Sequence, residues 1–174
     1  MEYLLAPGGS VDGEIRVPGD KSISHRSVML GALAEGESSV NGFLQGDDAL
    51  ATVAAFRALG VDIEGPRRGA LKIRGVGLAG LGRHWGGVLA GLREASLPLD
   101  MGNSGTSMRL LAGILAGQPF ASELTGDESL RRRPMQRVIT PLRQMGALID
   151  AEEGGRPPLS IAASRGLHGI HYDL

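Results

Sequence analysis

Two short stretches of the chain carry the residue types that bind anions. In Val17-Pro18-Gly19-Asp20-Lys21-Ser22-Ile23-Ser24-His25-Arg26 and in Asp100-Met101-Gly102-Asn103-Ser104-Gly105-Thr106-Ser107-Met108-Arg109, a glycine opens a polar loop and hydroxyl residues follow. In each, an arginine stands seven residues after the glycine and an apolar run with helical spacing comes next. The first N–H groups of a helix lack partners within it and carry partial positive charge, so an anion placed there meets several donors. Glycine lets the backbone come close, a hydroxyl adds a neutral donor, and Lys or Arg adds charge, each charge-assisted bond contributing roughly 1.5–3 kcal/mol. Taken singly, either loop reads more readily as an N-cap, the Asp or Asn oxygen satisfying an orphan N–H. The repetition at matched spacing favours two anion sites facing one cleft. A nucleotide P-loop is rejected, because it needs Gly immediately before Lys and Asp20 intervenes here.

The elements that must hold these loops repeat as well. Residues 10–17 alternate apolar and polar up to Pro18, which reads as a strand stopped by a turn. A helix over 22–34, a strand over 38–44, and a helix capped by Gly46-Asp47-Asp48 and ending at Gly60 follow. Strands over 61–64 and 70–74 then pair across Gly65-Pro66 and the basic turn Arg67-Arg68. The order begins again at Gly102, with a helix over 108–116 and a strand over 121–124. Gly126-Asp127-Glu128 caps a helix that closes at Gly146, and strands over 147–150 and 159–161 complete the unit. Equivalent positions lie mostly 80 to 86 residues apart, which makes an internal duplication the organising hypothesis. Residues 165–174 echo the approach to the second loop, so the chain stops as a third loop is due and reads as truncated. Such a chain is expected to expose a sheet edge and apolar helix faces and to self-associate.

Two stretches depart from this order. Residues 82–97 are Gly-rich, hold the one tryptophan, Trp85, and read as an inserted surface excursion. Arg131-Arg132-Arg133-Pro134 falls in the first turn of a helix, where proline is tolerated. Position alone leaves open whether any of the three arginines points into the cleft.

Composition narrows the function classes. Hydrophobic residues make up 42% of the 174 residues with only 3% aromatic, so the core is built from aliphatic side chains and Met. A formal net charge of −1 gives no basic surface for nucleic acid or an anionic membrane. Yet 16 of the 18 basic residues are Arg, the side chain whose fork matches phosphate and carboxylate. Without cysteine there is no disulfide framework, thiolate metal site or thiol nucleophile. His25, His84, His168 and His171 lack metal-ligand spacing, so no metal is expected. With no leader-like N-terminus and no membrane-length apolar run, the default expectation is a soluble cytoplasmic protein without cofactor.

The two loops, together with Leu124-Thr125-Gly126-Asp127-Glu128-Ser129-Leu130-Arg131-Arg132-Arg133-Pro134-Met135, closely resemble the 5-enolpyruvylshikimate-3-phosphate synthase (EPSP synthase) family. The resemblance implies transfer of the enolpyruvyl group of phosphoenolpyruvate to the 5-hydroxyl of shikimate 3-phosphate, releasing phosphate, on the shikimate pathway to aromatic amino acids. It implies two domains, each of three βαβαββ units, and therefore an α/β (α+β) fold of which this chain holds two complete units and the start of a third. On that reading, residues 1–17 are a strand of the other, absent domain and 18–174 are a partial enolpyruvyl transferase domain. Repeat one is 18–74, connection and insertion 75–99, repeat two 100–162 and the start of repeat three 163–174.

Carried over motif by motif, the catalytic residue Lys21 contacts both substrates, and Ser22 and Arg26 hold shikimate 3-phosphate. Gly105 and Arg133 bind phosphoenolpyruvate, Asn103 and Thr106 complete that loop, and Arg109 supports it. Arg131 and Arg132 remain surface charges. The proton-transferring carboxylates belong to the portion absent here, so the chain alone is expected not to turn over. Leu110 departs from the proline many members have after the loop arginine, which puts the helix start in question. Gly105 keeps the small residue linked to room for glyphosate. The related UDP-N-acetylglucosamine enolpyruvyltransferases usually carry a loop cysteine that this chain lacks. A non-catalytic, substrate-binding remnant is the remaining alternative.

Overall fold

The computed structural model describes residues 3–4, 8–77 and 92–173. Its first half contains α1 (Lys21–Leu33), β1 (Glu35–Val40), α2 (Asp47–Ala58), β2 (Asp62–Arg67) and β3 (Ala70–Val76), the strands ordered β1-β3-β2 and all antiparallel. The period-two alternation of β3 turns Leu71 and Ile73 inward, where they are buried with Val28, Met29, Val53 and Phe56 of the two helices. Burying each such side chain contributes roughly 1.5–3 kcal/mol relative to leaving it exposed. Lys72 and Arg74 turn outward. They pair with Glu37, Asp62 and Glu64 at 2.8–3.9 Å, exposed contacts worth about 0.2–1 kcal/mol each.

The second half contains β4 (Leu99–Asp100), α3 (Gly105–Leu115), β5 (Ser122–Thr125), α4 (Glu128–Arg131), α5 (Gln136–Gln144), β6 (Ile149–Glu152) and β7 (Arg156–Ile161). Its sheet runs β4-β5-β7-β6, with β4 parallel to β5 and the other pairs antiparallel. The duplication read from the sequence extends to individual bonds. Arg57 donates to the Ile63 carbonyl at 2.8 Å, and Arg143, 86 positions later, donates to the Ile149 carbonyl at 2.9 Å. Each arginine thereby ties the end of a helix to the strand that follows. Both helices stop at a glycine of positive φ, Gly60 at 90° and Gly146 at 101°. The next amide then reaches back five residues, Val61 to Phe56 and Ala147 to Leu142.

Several sequence expectations shift. The alternating residues 10–17 form no strand: no described strand pairs with them, and Val11, Ile15 and Val17 stand uncovered. β1 begins at Glu35 rather than 38, and Phe43 is buried by a loop whose amide bonds to the Gly69 carbonyl at 2.9 Å, so its burial mimicked a strand signal. Leu110 leaves the helix start untouched, because α3 already begins at Gly105. The helix expected beyond Gly126 is two. Proline disfavours α conformation in the residue before it, so α4 stops at Arg131 and α5 starts after Met135. Of the expected insertion, residues 82–91 lie outside the described residues. Its last part is largely on the surface, with Leu97 exposed, but it is anchored at one end, where Leu92 is buried and the Arg93 amide bonds to the Leu59 carbonyl at 2.8 Å. Ile23 and Leu30, seven apart on one face of α1, are each 68% exposed, an apolar face on the first repeat rather than at the third.

Candidate anion-binding site at three helix starts

The first loop is held by close backbone packing. A Cβ on Gly19 would lie 1.8 Å from the Gly42 carbonyl oxygen, so only glycine fits. Asp20 is the N-cap, its carboxylate accepting from the Ile23 amide at 2.7 Å. Ser24 Oγ donates to the Asp20 carbonyl at 2.8 Å and accepts from the Leu44 amide at 2.9 Å, which fastens the loop from below. Lys21, the first residue of α1, extends a half-exposed ammonium to Asp48 in the first turn of α2. Ser22 is exposed, and Arg26 is exposed with its guanidinium 3.3 Å from the Ser22 carbonyl.

In the second loop the cap is Ser104, not Asn103: its Oγ accepts from the Ser107 amide at 3.2 Å. That frees the Asn103 side chain. Its Oδ1 accepts from Arg133 Nη2 at 2.5 Å, and its Nδ2 donates to Asp127 at 2.9 Å. Arg133 also reaches the Asn103 carbonyl and Ser129 Oγ, both at 3.3 Å. Asp127 caps α4 by accepting from the Leu130 amide at 2.7 Å. The Asn103 hydrogen bond, then that of the Leu130 amide, with Arg133 adding, holds its carboxyl below the usual carboxylate range. Arg109 donates to the Pro134 carbonyl at 3.3 Å, and Thr106 is exposed at the second residue of α3. Gly105 lies under both guanidiniums: a Cβ there would come 2.7 Å from Arg109 Nη1 and 3.4 Å from Arg133 Nη1.

A buried polar triangle joins the three helices just beneath these loops. His25 Nδ1 lies 2.8 Å from Thr52 Oγ1 and 3.2 Å from Ser107 Oγ, and the two hydroxyls are 2.7 Å apart. Ser104 Oγ extends the set, 2.6 Å from Ser107. All four residues are buried. Burial, then the Lys21 charge, lowers the His25 pKa, with Asp48 opposing and Arg26 adding, so the imidazole is neutral at pH 7. Ser107 lies in the first turn of α3 and His25 one turn into α1, whereas Thr52 stands in the middle of α2.

The structure therefore assembles Asn103, Gly105, Arg109 and Arg133 in one cluster and Lys21 in a second, joined through the triangle. Ser22, Arg26 and Thr106 are exposed near these helix starts. Arg131 is exposed and Arg132 pairs with Glu128 on the surface, in keeping with their reading as surface charges. The matched arginines are not equivalent. The cap follows Gly19 by one residue and Gly102 by two, so Arg26 is sixth in α1 and Arg109 fifth in α3, a rotation of about 100° on a helix of 3.6 residues per turn. Sequence reasoning missed Asp48 as the partner of Lys21, Asp127 as the anchor of Asn103, and the triangle. An acidic residue in a helix's first turn was the available signal for Asp48. A cleft of about 890 Å³ bordered by Glu94, Glu123, Asp150 and Ser160 involves none of these residues. Among the described residues no group of His, Cys, Asp and Glu has the arrangement of a metal site, and no helix is long and apolar enough to cross a membrane.

Helix starts with lysine and arginine arms stand on two similar units, the first running α-β-α-β-β and the second β-α-β-α-α-β-β. Residues 5–174 match the family model of EPSP synthase (3-phosphoshikimate 1-carboxyvinyltransferase), and the chain belongs to that family. The 3-phosphoshikimate 1-carboxyvinyltransferase of Methylococcus capsulatus is 61% identical over 172 residues, covering 99% of this chain and 37% of its own length. That of Alkalilimnicola ehrlichii is 58% identical over 174 residues, covering 100% of this chain and 36% of its own. The solved EPSP synthase of Acinetobacter baumannii superposes with a TM-score of 0.84 at 54% identity, over 93% of this chain and 34% of that one. The chain thus spans about a third of the length of these relatives.

Proposed function

We propose that this chain supplies part of a site at which the enolpyruvyl group of phosphoenolpyruvate passes to the 5-hydroxyl of shikimate 3-phosphate, with release of phosphate. The observation that carries the reading is Arg133, held by Asn103 beside the bare backbone of Gly105 at the start of α3. On this reading the pair forms a cradle for a small anion. Gly105 and Arg133 bind phosphoenolpyruvate, with Asn103 and Thr106 completing the loop and Arg109 supporting it. Ser22 and Arg26 hold shikimate 3-phosphate, and Lys21 serves both substrates.

The reaction protonates the methylene carbon of the enol phosphate, and the hydroxyl adds to the neighbouring carbon as it gives up its own proton, which in the overall balance leaves with phosphate. The resulting tetrahedral intermediate expels phosphate and loses the proton gained at the methyl carbon. Lys21 and Arg133 stabilise the phosphate and carboxylate charge in place, without reorganisation during the reaction. Positioned acids and bases move the protons, and we assign them to the remainder of the enzyme. Residues 1–17 contribute a strand to that second domain, which accounts for the uncovered Val11, Ile15 and Val17, and the same remainder covers Ile23 and Leu30. Repeat one is 18–74, repeat two 100–162, and the third opens at 163. The setting is cytoplasmic.

The test replaces the matching third of the Methylococcus capsulatus protein with this chain and follows phosphate release from the two substrates. Turnover in the hybrid, lost in Arg133→Ala and absent from the 174-residue chain alone, is the expected result. Undiminished turnover in Arg133→Ala, or steady turnover by the chain alone, contradicts the reading.

A further inference from the structure

The triangle of His25, Thr52 and Ser107 has no role in the reading above, yet it lies close in the fold to Lys21 and to the loop that holds Arg133. On α1, Lys21 precedes His25 by four residues, and on α2, Asp48 precedes Thr52 by four. Residues four apart on a helix stack on one face, so the Lys21–Asp48 pair lies one turn above the His25–Thr52 contact. In the second loop Asn103, which holds Arg133, precedes Ser107 by four residues, and the cap Ser104 bonds Ser107 directly. The layer that faces substrate therefore stands on a buried polar layer one turn deeper.

We propose that His25, Thr52 and Ser107 are positioning residues that fix the distance between the Lys21 loop and the Gly105 loop, on the reading that these loops hold the two substrates. Three features argue for this over plain core filling. The contact brings together residues 82 positions apart in sequence and belonging to the two different repeats, where apolar packing alone would tolerate sliding. Hydrogen bonds fix distance and direction, and these lie within 3.2 Å in a region shielded from water. The arrangement also carries a cost that an apolar trio would avoid, since His25 Nε2 is buried without a hydrogen-bond partner among the described residues. Helix starts bind anions only where they point, so a shift of α3 against α1 would misplace the Arg133 cradle relative to Lys21. Misplacement on the scale of 1 Å costs up to about 100-fold in rate.

The test has two arms. In the hybrid described above, Ser107→Ala and His25→Ala are expected to lower kcat about 10- to 100-fold while the protein still melts cooperatively. KM for each substrate is expected to change by less than about threefold, because each loop keeps its own binding groups. His25→Asn restores kcat to within about threefold of the parent, since its amide can place a hydrogen-bonding atom where Nδ1 lies. Loss of kcat in proportion to lost stability, or an Asn variant as impaired as the Ala variant, overturns the proposal. In the 174-residue chain itself, Ser107→Ala is expected to shift the backbone amide resonances of residues 21–25 on α1 and to leave those of Ile63 and Ile149 in place. Perturbation confined to α3 overturns it equally. A hybrid that never turns over contradicts the proposed function instead, and the amide arm still decides whether the two loops are coupled.

Discussion

The two repeats share a scaffold and differ where the chemistry lies. Asp20 and Ser104, both N-caps, stand 84 positions apart, and Arg57 and Arg143 make the same bond to the sixth residue on. At the loops the resemblance ends. In the first repeat the cation is Lys21, the opening residue of α1, paired across to the unbroken α2. In the second, Gly105 holds the place of Lys21 one residue past the cap, and the cation arrives from Arg133, outside any helix because Pro134 splits the segment into α4 and α5. Backbone geometry is alike in the two repeats, and the side chains at the helix starts differ; on the proposed function they serve two different anions.

The largest effects should come from the cation of the second loop. Arg133→Ala is expected to lower kcat/KM of the completed enzyme by about 10²–10³-fold, the range for a preorganised charge-stabilising donor. Arg132→Ala, which removes only a surface pair with Glu128, should stay within about twofold, and equal losses in the two variants would erase the distinction drawn here. Gly105→Ala places a methyl 2.7 Å from Arg109 Nη1 and crowds the cradle, so KM for phosphoenolpyruvate should rise about tenfold with shikimate 3-phosphate little affected. A matched rise for both substrates would mean that the loops are not specialised.

Smaller effects should separate the two loops by their backbones. Gly19→Ala drives a Cβ against the Gly42 carbonyl and should destabilise the chain by about 1–3 kcal/mol in denaturant unfolding. Gly102→Ala meets nothing within 4 Å and bears only the strain of φ 53°, about 1 kcal/mol. A reversed order would undo the contrast between a packed first loop and an open second one. The smallest effect is that of pH. Because the His25 pKa is lowered in the fold, the unfolded chain binds more protons just below pH 6.5, so stability is full above that value and declines as pH falls toward the folded pKa. His25→Asn should flatten that part of the profile, and an unchanged slope would show that another group sets it.

Much of this was legible in the sequence, for physical reasons. The duplication showed because each repeat needs the same glycines, caps and apolar spacing to build the same elements. The grouping of Asn103, Gly105, Arg109 and Arg133 was legible because glycine, hydroxyl and arginine recur at fixed spacing around a helix start. What escaped depended on neighbours. Residues 10–17 alternate as a strand, but a strand forms only against a partner, and none of the described strands provides one. Phe43 carried an apolar signal that a loop satisfied. Equal spacing from glycine to arginine concealed a cap displaced by one residue, which turns Arg26 and Arg109 to different sides. The triangle could not be read from the chain, because His25, Thr52 and Ser107 share no local pattern and meet only once three helices pack.

The central claim is that Lys21 and Arg133, supplied by different repeats, act on one bound assembly. The most direct measurement is a double-mutant cycle on the completed enzyme, with Lys21→Ala, Arg133→Ala and the pair compared in kcat/KM. The account predicts that each single change costs at least about 100-fold and that the double variant is far less impaired than the product of the two losses, as for groups that work as a unit. Losses that multiply independently would contradict it.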